Sequence, residues 1–398
     1  MTRACRPVAT LLVASVTLLS ASRAAAQCEA VFDLSNPSPP ALSLVGDAAD
    51  LGGFLVLTPN LTDQIGAVWA DQPGNLRGGF DTLFSFTVSG SGGFGQGDGF
   101  AFVIQNDPNG VNAIGDGGSG LGYANMGAAL AVEFDTFEFP GEFPTDHVSV
   151  QGMDGGGILL SDDLYSLGHA LLPFDINDGA EHWAYVRYRV GSLQVQVDGD
   201  LLMDAPVDLE NLSGNSALDV DGCARVGFTA GTGGASSEHG IGNWSFGDTA
   251  GCQFMNYFDF ISNQSLLSGD RLTVHMSPRG SGPWSFEWRL NDVPLVDGGP
   301  IHGASTPVLV IDPVGPQHRG RIDYFAMNSC SGVSTSFQLD VTIVCIGDLD
   351  GDGFVGPGDL GILLSAWETS GAGDLDGDGQ TSSSDLGILL ANWDSGCA

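Results

Sequence analysis

Two acidic segments near the C-terminus share one pattern, Asp348-Leu-Asp-Gly-Asp-Gly and Asp374-Leu-Asp-Gly-Asp-Gly. Each begins a 12-residue loop with carboxylates at positions 1, 3, 5 and 12 and glycine at position 6. This spacing surrounds Ca²⁺ with oxygen ligands, and the carbonyl of position 7 adds another. The predicted calcium ligands are Asp348, Asp350, Asp352, the Phe354 carbonyl and Asp359, followed by Asp374, Asp376, Asp378, the Gln380 carbonyl and Asp385. The sequence therefore predicts two calcium ions in this tail.

Each calcium loop is followed by the segment Leu-Gly-Ile-Leu-Leu, at 360–364 and at 386–390. Apolar residues at this spacing predict one amphipathic helix after each loop. Residues 346–398 thereby resemble a type I dockerin, a family with two such loops and Asp at position 12. The resemblance implies a small α-helical module of paired calcium loops that binds a cohesin-like protein. A calcium-stabilised terminal module with another docking role is the alternative.

Four segments in the front of the chain occur in the order found in L-type (legume-like) lectins. They are Gly97-Asp-Gly-Phe-Ala-Phe, Gly120-Leu-Gly-Tyr, Val132-Glu-Phe-Asp-Thr-Phe with His147-Val-Ser-Val, and Arg225-Val-Gly-Phe-Thr-Ala-Gly-Thr-Gly with Trp244-Ser-Phe. The resemblance implies a concanavalin-like antiparallel β-sandwich (jelly roll) that binds a glycan or polysaccharide. It also implies that Asp98 accepts hydrogen bonds from sugar hydroxyls. The residues implied in carbohydrate binding are Asp98, Gly118, Gly120, Leu121, Gly122, Gly233 and Gly234.

The same resemblance implies a metal site beside the sugar loop. Its implied ligands are Glu133, Asp135, the Phe137 carbonyl, Glu142 and His147. Carboxylates and a carbonyl suit calcium, and an imidazole beside carboxylates suits a transition metal ion. We therefore expect one calcium ion with an adjacent transition metal, which would fix the sugar loop without taking part in chemistry. Phe139 stands where the family has an asparagine that binds both calcium and sugar.

Glu133, Asp135 and Glu138 also resemble the E-x-D-x-x-E run of retaining glucanases. In that family the first Glu is the nucleophile and the second is the acid/base, with carboxyl groups about 5.5 Å apart. Residues five apart point to opposite faces of a strand unless a bulge intervenes. We therefore predict a protein that is not an enzyme. The alternatives are a retaining glycoside hydrolase acting on β-glucan and a non-catalytic structural surface protein.

Short segments of alternating apolar and polar residues, separated by Gly, Asn and Asp, dominate the front of the chain. Many such strands without a helical insert predict a mainly β protein with a large antiparallel sandwich. The predicted strands are 82–88, 99–105, 128–137, 147–151, 182–189, 193–197, 224–230 and 241–246. These strands must position the lectin-like residues.

Residues 250–345 lack the acidic repeats and carry further predicted strands, with Trp288 expected in the core. The segment 321–327 resembles the start of strand F in an immunoglobulin domain, with Tyr324 at the tyrosine-corner position. Ala326 stands where that family has its second inter-sheet cysteine, so we expect no inter-sheet disulfide. The resemblance implies an immunoglobulin-like β-sandwich that acts as a spacer.

The chain carries 48 acidic and 12 basic residues, all the basic ones arginine, and its net charge is −36. Such a surface repels nucleic acid and anionic lipid, so neither is expected as a partner. The missing lysine also excludes Schiff-base chemistry. An even number of cysteines follows residue 26, which predicts disulfides in an exported protein, with Cys345 and Cys397 as plausible partners.

Residues 1–26 combine early arginines, an apolar run and small residues before Gln27, the order of a secretory signal peptide. The apolar run is too short to cross a membrane, so we expect no membrane insertion. The protein is expected to be secreted, extracellular or on the cell surface of a bacterium. The predicted division is 1–26 signal peptide, 27–249 lectin-like sandwich, 250–345 immunoglobulin-like domain and 346–398 dockerin-like domain.

Overall fold

The computed structural model describes residues 28, 31–33, 41–137, 143–144, 146–249, 261–278, 280–342, 346–350, 354–371 and 373–393. The front of the chain is built from antiparallel β-strands. In chain order these are β1 (Val31–Asp33), β2 (Leu42–Gly46), β3 (Ala49–Asp50), β4 (Leu55–Thr58), β5 (Ile65–Ala70), β6 (Gly74–Asn75), β7 (Phe80–Gly93), β8 (Gly99–Gln105), β9 (Ala129–Asp135), β10 (His147–Gln151), β11 (Ser166–Leu171), β12 (His182–Arg189), β13 (Ser192–Val197), β14 (Asp200–Ala205), β15 (Cys223–Gly231) and β16 (Ala235–Asp248).

These strands form two sheets that enclose one core. The first, which we call the back sheet, has the order β14-β13-β12-β7-β16-β4-β3, and β1 also pairs with β16. The second, which we call the site sheet, has the order β11-β10-β9-β8-β15-β5-β2, and β6 pairs with β15. The predicted sugar and metal residues lie on the strands and connections of the site sheet.

Phenylalanine rings fill the space between the two sheets. Phe84 on β7 meets Phe228 on β15 edge to face, with ring centroids 4.8 Å apart. Phe86 and Phe134 connect β7 to β9 with their rings tilted to each other and their centroids 5.1 Å apart. All four rings are fully buried. Because each buried ring contributes about 1.5–3 kcal/mol, this core makes a firm frame for the loops at the sheet edge.

A disulfide joins Cys28, ahead of β1, to Cys223 at the start of β15, with the Cα atoms 6.1 Å apart. Cys330 is disulfide-bonded as well. The predicted pairing of Cys345 with Cys397 lies outside the described residues. The prediction of disulfides is therefore supported, while that particular pairing stays a prediction.

A second group of strands follows the sandwich. They are β17 (Gln264–Leu267), β18 (Leu272–His275), β19 (Ser285–Leu290), β20 (Val293–Pro294), β21 (Ile301–His302), β22 (Val308–Ile311), β23 (Gly320–Met327) and β24 (Gly332–Thr342). One sheet has the order β17-β24-β23-β19-β20 and the other β18-β22-β21. Trp288 and Tyr324 are buried together, with ring centroids 4.5 Å apart. Trp288 is thus a core residue as predicted, and the immunoglobulin-like assignment stays a prediction.

The back sheet packs against this second group of strands. Leu83, Trp183 and Tyr185 of the back sheet belong to the same buried apolar cluster as Trp284 and Phe286. Tyr185 and Phe286 meet edge to face at 5.9 Å between ring centroids. The site sheet, on the other side of the sandwich, carries the predicted site.

The described part of the tail contains two helices, α1 (Pro357–Ser365) and α2 (Ser383–Ala391). Their shared core is small and consists of Val355, Leu363 and Leu389, with partly buried leucines around them. Both predicted helices are present, and the dockerin-like assignment stays a prediction.

The prediction of a mainly β protein with sandwich sheets and few helices is confirmed. The bounds of β8, β10 and β12 agree with the prediction, whereas the short strands β2 to β6 were not predicted. The predicted signal peptide, residues 1–26, lies outside the described residues. Within the residues that are described, no helix has both the length and the apolar character needed to cross a membrane.

Candidate functional site

Three connections at one end of the site sheet meet around the Asp98 carboxylate. Asp98 directly precedes β8, whose first residue pairs with Gly231 at the end of β15. The Asp98 side chain is buried. A Cβ atom added at Gly233 would lie 3.1 Å from Asp98 Oδ2, and one added at Gly118 would lie 3.9 Å from it. The fold therefore brings Asp98, Gly118 and Gly233 together from three separate segments.

Hydrogen bonds from neighbouring segments fix the main chain of Asp98. Its N–H donates to the Gly231 carbonyl at 3.2 Å, and its carbonyl accepts from both the N–H and the hydroxyl of Thr136 at 2.9 Å. The Gly97 N–H donates to Ser237 Oγ at 3.2 Å, and the Gly97–Asp98 peptide bond is cis. Because these partners hold the backbone on both sides, the Asp98 carboxylate is oriented before any ligand arrives.

The loop from Gly118 to Gly122 contributes backbone rather than side chains. Gly118 has φ +59°, in the left-handed region that favours glycine. The Leu121 side chain is fully buried, and its N–H donates to the Gly118 carbonyl at 2.9 Å. The N–H groups of Gly120 and Gly122 also donate to carbonyls of their own loop, at 3.1 and 2.8 Å. Of the predicted residues in this loop, Gly118 is therefore the one placed beside Asp98.

The loop after β15 contributes Gly233 and Gly234. The Gly233 carbonyl accepts from the Asp63 N–H at 3.1 Å, and the Thr232 hydroxyl donates to the Leu61 carbonyl at 2.6 Å. These bonds hold the loop to the segment between β4 and β5. Gly233 faces the Asp98 carboxylate, whereas Gly234 lies further out and is exposed.

A buried group of side chains on the site sheet could hold a metal ion. Glu133 on β9, His147 on β10 and Asp163 ahead of β11 offer ligand atoms that all lie within 4.8 Å of one another. The side chains of Glu133 and His147 are each 3% exposed. Two carboxylates and one imidazole form a ligand set suited to a transition metal ion.

The His147 imidazole points into this group. Its Nδ1 lies 2.9 Å from the Pro144 carbonyl oxygen, a contact that orients histidine for binding a metal through the other nitrogen. Its buried Nε2 has no hydrogen-bond partner among the described residues and lies 3.7 Å from Glu133 Oε1. Leaving a buried polar atom without a partner costs free energy. An ion bound to Nε2 would remove that cost, so these residues fit a divalent metal.

Glu133 is held by two neutral donors. The Tyr123 hydroxyl donates to Oε2, and Gln151 Nε2 donates to Oε1 at 2.7 Å. Burial raises the pKa of Tyr123 well above its ordinary value, and Glu133 raises it further, so the phenol remains a donor. Burial lowers the pKa of His147, but Glu133 and Asp135 outweigh burial and raise this pKa above its ordinary value. The carboxylates thus make the group attractive to a cation.

The remaining predicted ligands of this site have other environments. Asp135 Oδ1 accepts a hydrogen bond from the Phe137 N–H at 2.7 Å. Glu142 lies outside the described residues, as do Glu138 and Phe139. The structure thus groups Glu133 and His147 with Asp163, which the sequence did not single out.

Asp163 comes from a short 3-10 turn, Asp163–Tyr165, whose preceding residue Asp162 caps it by accepting from the Leu164 N–H. Asp163 Oδ2 accepts from the Phe143 N–H at 2.6 Å. The pairing of β10 with β11 sets Ser166 opposite Gln151, and the turn that precedes Ser166 brings Asp163 to Glu133 and His147. No spacing in the sequence links Asp163 to Glu133. The one feature of the sequence that could have indicated a ligand here is the pair of adjacent acidic residues, Asp162 and Asp163.

The tail brings most of its predicted carboxylates together. Oxygen atoms of Asp348, Asp350 and Asp359 lie within 4.8 Å of one another in the first loop. Those of Asp374, Asp376 and Asp378 do so in the second loop. Asp352 lies outside the described residues. These oxygen-only groups fit calcium.

The two aspartates at position 12 tie each loop to its helix. Asp385 Oδ1 accepts from the Leu375 and Asp376 N–H groups at 2.7 and 3.1 Å, and Oδ2 accepts from the Ser382 N–H at 2.7 Å. Asp359 accepts three backbone N–H bonds in the same way. Burial raises the pKa of Asp385, but these donors outweigh it and lower the pKa below its ordinary value. Both carboxylates therefore stay ionised.

The matches to known proteins fall in the part of the chain that forms the β1–β16 sandwich. Residues 31–255 match the family model described as the legume lectin domain. The chain is 28% identical to the L-type lectin-domain containing receptor kinase VIII.1 of Arabidopsis thaliana over 245 residues, which cover 55% of this chain and 32% of that protein. It is 27% identical to Lectin 10 of Medicago truncatula over 252 residues, covering 54% and 80% of the two chains. The chain thus spans about a third of the length of that receptor kinase.

Among solved structures, peanut lectin with a nine-residue peptide is 26% identical, with a TM-score of 0.44 over 55% of this chain and 96% of that one. The exoplasmic/lumenal domain of VIP36 in its Ca2+/Man3GlcNAc-bound form is 23% identical, with a TM-score of 0.42 over 54% and 87%. The matched region 31–255 is more than half of the 398-residue chain and contains both sheets of the sandwich. The chain belongs to the legume lectin domain family.

Proposed function

We propose that this protein binds carbohydrate and holds a sugar at Asp98, Gly118 and Gly233. The observation that carries the proposal is a buried, backbone-fixed carboxylate that lies between glycines of two other loops. A carboxylate is an acceptor for two or more sugar hydroxyls, and hydrogen bonds to a charged acceptor are the strong ones. A side chain at Gly233 would crowd the Asp98 carboxylate, whereas glycine leaves that space to a ligand.

The surroundings of Glu133 favour sugar binding over glycan hydrolysis. The nucleophile of a retaining glycosidase must reach the sugar carbon at the bond that is cleaved. Glu133 has a side chain only 3% exposed and accepts hydrogen bonds from Tyr123 and Gln151. We therefore propose a role for Glu133 in holding a metal ion. Release of reducing sugar from β-glucans, lost in Glu133→Gln, would support the hydrolase instead.

Asp98→Asn is expected to abolish glycan binding, or to weaken it by about 10- to 100-fold, because it removes the charge that strengthens the sugar contacts while keeping the shape. A glycan array with the full-length protein identifies the ligands, and titration of the strongest ligand measures the loss. Asp204→Asn is the matched control, because Asp204 is an exposed aspartate on the back sheet. A wild-type protein that binds no glycan, or an Asp98→Asn variant that binds as tightly as Asp204→Asn, would refute the proposal.

We further propose that Glu133, His147 and Asp163 bind one divalent transition metal ion. Support comes from the convergence of their ligand atoms and from the orientation of the buried His147 Nε2. When bound, the ion would cross-link β9, β10 and the turn before β11. Such a cross-link would stiffen the edge of the site sheet next to Asp98.

His147→Gln and Asp163→Asn are each expected to lower the affinity for Mn²⁺ by at least about tenfold, since each removes one ligand. Free Mn²⁺ is measured by electron paramagnetic resonance, with excess Ca²⁺ to occupy the oxygen-only tail loops. His169→Gln is the matched control, because His169 stacks on Phe143 close by but is exposed and outside the group. Equal Mn²⁺ retention in all four proteins would contradict this metal site.

We propose that the protein is secreted and that its tail docks it to a larger assembly or a cell surface. The disulfide between Cys28 and Cys223 supports export, because such bonds persist in oxidising compartments. The tail's paired acidic groups support calcium-dependent docking. A pull-down with a panel of cohesin domains, with and without chelator, tests the partner. Capture that requires calcium supports a cohesin, and no capture leaves the other docking role.

A further inference from the structure

The connection between β11 and β12 contains Asn177, which is only 8% exposed. The preceding residue, Ile176, is fully buried in the core between the two sheets. The Ile176 N–H donates to Asp146 Oδ1 at 3.3 Å. On the other side of Asn177, the Gly179 N–H donates to the Val88 carbonyl at 3.1 Å. The backbone that carries the Asn177 side chain is therefore fixed on both sides.

The side-chain amide of Asn177 donates to two strands of the back sheet. Its Nδ2 donates to the Gly90 carbonyl at 2.9 Å and to Ser237 Oγ at 2.8 Å. Gly90 lies on β7 and Ser237 on β16, and these two strands pair with each other. A side-chain amide has two N–H donors, so these contacts use both of them. Because a buried amide is costly unless its hydrogen bonds are made, the two contacts fix the orientation of the Asn177 side chain.

The Ser237 hydroxyl connects Asn177 to the residue before Asp98. Ser237 is fully buried, and its Oγ accepts from the Gly97 N–H at 3.2 Å as well as from Asn177. The same hydroxyl donates to the Gly90 carbonyl at 3.2 Å. A hydroxyl has one hydrogen to donate and two lone pairs that accept, so these three contacts use its full capacity. The hydroxyl hydrogen must therefore point to Gly90 while Asn177 and Gly97 both donate to the oxygen.

Loss of the Asn177 amide would free one lone pair of Ser237 Oγ. The hydroxyl could then rotate, and in some orientations its hydrogen would face the Gly97 N–H instead of accepting from it. The main chain around Asp98 would lose one of the hydrogen bonds that hold it. Because a ligand binds more tightly to a group that is already oriented, a looser main chain at this point costs affinity.

We propose that Asn177 is a positioning residue of the sugar site, and this inference rests on the proposed carbohydrate binding. Asn177 acts through Ser237, which holds the Gly97 N–H and thereby the direction of the Asp98 carboxylate. Asn177 itself does not touch the sugar, because both of its N–H donors are used inside the protein. The orientation of the carboxylate is thus set in part by the connection that joins the two sheets.

The binding test titrates the strongest glycan from the array into full-length variants. Asn177→Ala and Ser237→Ala are each expected to weaken binding by about fivefold or more, the effect of losing one hydrogen bond. The double variant should lose no more than either single variant, because both changes break the same connection to Gly97. Asn177→Asp keeps the shape of the side chain but removes both donors, so it should lose affinity as well. Asn211→Ala is the matched control, since Asn211 is exposed in another connection, and it should bind like the wild type.

The amide resonance of Gly97 separates positioning from a general loss of stability. In isotope-labelled full-length protein without sugar, the Gly97 amide proton should shift in Asn177→Ala and in Ser237→Ala, because its acceptor is lost or displaced. Asp81→Asn is the control for stability, since Asp81 lies at the other end of β7 and is bound by two arginines. It should destabilise the protein while leaving the Gly97 resonance and the glycan affinity unchanged.

Asp98→Asn in the same titrations separates this inference from the proposed function. Glycan binding that is lost in Asp98→Asn but unchanged in Asn177→Ala would overturn the positioning role and leave the sugar site intact. A Gly97 resonance that moves no more in Asn177→Ala than in Asp81→Asn would overturn the positioning role as well. A wild-type protein that binds no glycan of the array would overturn the proposed function and this inference together.

Discussion

Asp81→Asn is expected to destabilise the protein by about 3 kcal/mol, because it removes a fully buried charge from its partners. Asp81 lies on β7, where the back sheet meets the second group of strands. Arg187 Nε donates to Oδ1 at 3.0 Å, and Arg189 Nη2 donates to Oδ2 at 2.7 Å. The Tyr185 hydroxyl donates to Oδ1 at 2.5 Å, and the Trp284 N–H donates to Oδ2 at 3.2 Å. The Trp284 bond crosses the junction.

The expected loss is large because the change leaves two arginines without their carboxylate. The side chains of Arg187 and Arg189 are 27% and 30% exposed, so water offsets part of the cost of leaving them unpaired. We therefore expect a loss of stability near the low end of the range for breaking a buried ion pair. Arg187 Nη2 also donates to the Trp284 carbonyl at 2.7 Å, so a displaced guanidinium would disturb the junction again. Loss of Asp81 should therefore weaken both the back sheet and its contact with Trp284.

Urea unfolding followed by tryptophan fluorescence measures the effect. Glu210→Gln is the matched control, since Glu210 pairs with Arg77 at 2.8 Å but both side chains are about half exposed. That change should cost less than about 1 kcal/mol. A loss for Asp81→Asn as small as that for Glu210→Gln would show that the buried network does not stabilise the junction.

Removing calcium is expected to unfold the tail helices while the sandwich stays folded. The tail core contains only Val355, Leu363 and Leu389 as fully buried apolar side chains among the described residues. So small a core contributes only a few kcal/mol, and it must also offset repulsion among the clustered carboxylates. Calcium binding would turn that repulsion into attraction, so folding and ion binding should be coupled.

Hydrogen exchange of the α1 and α2 amides in the full-length protein, with Ca²⁺ and with chelator, measures this coupling. Protection in both helices should fall by at least about tenfold in chelator, whereas amides of β12 and β13 in the back sheet should not change. Asp376→Asn should weaken calcium binding and protection, while Glu368→Gln, an exposed acid outside both groups, should not. Helix protection that ignores calcium would contradict the proposed calcium loops.

The sequence predicted β13 from the alternation of its residues, which are half-buried and buried in turn from Ser192 to Val197. It also predicted β8, whose residues are all buried, because turn residues stand at both of its ends. β7 was predicted too short, at 82–88, mainly because the Ser-Gly-Ser-Gly-Gly run of 89–93 that ends it has the composition of a loop. β3 and β6 have two residues each, and their pairing with distant strands rather than their composition makes them strands.

Some residues of the candidate site could be predicted from the sequence and others could not. Asp98, Gly118 and Gly233 could be predicted because each stands in a short segment whose resemblance to lectins is local in sequence. Asp163 could not, because the turn before β11, and no spacing in the sequence, brings it to Glu133 and His147. Contacts that arise from register and turn geometry leave no spacing to read in one sequence.

The most direct test of carbohydrate binding is a crystal structure of the protein with the strongest glycan from the array. We expect at least two hydroxyl oxygens of one pyranose within about 2.5–3.0 Å of the Asp98 carboxylate oxygens. The same pyranose should lie beside Gly118 and Gly233. A glycan bound elsewhere, with Asp98 making no contact to it, would contradict the proposed site.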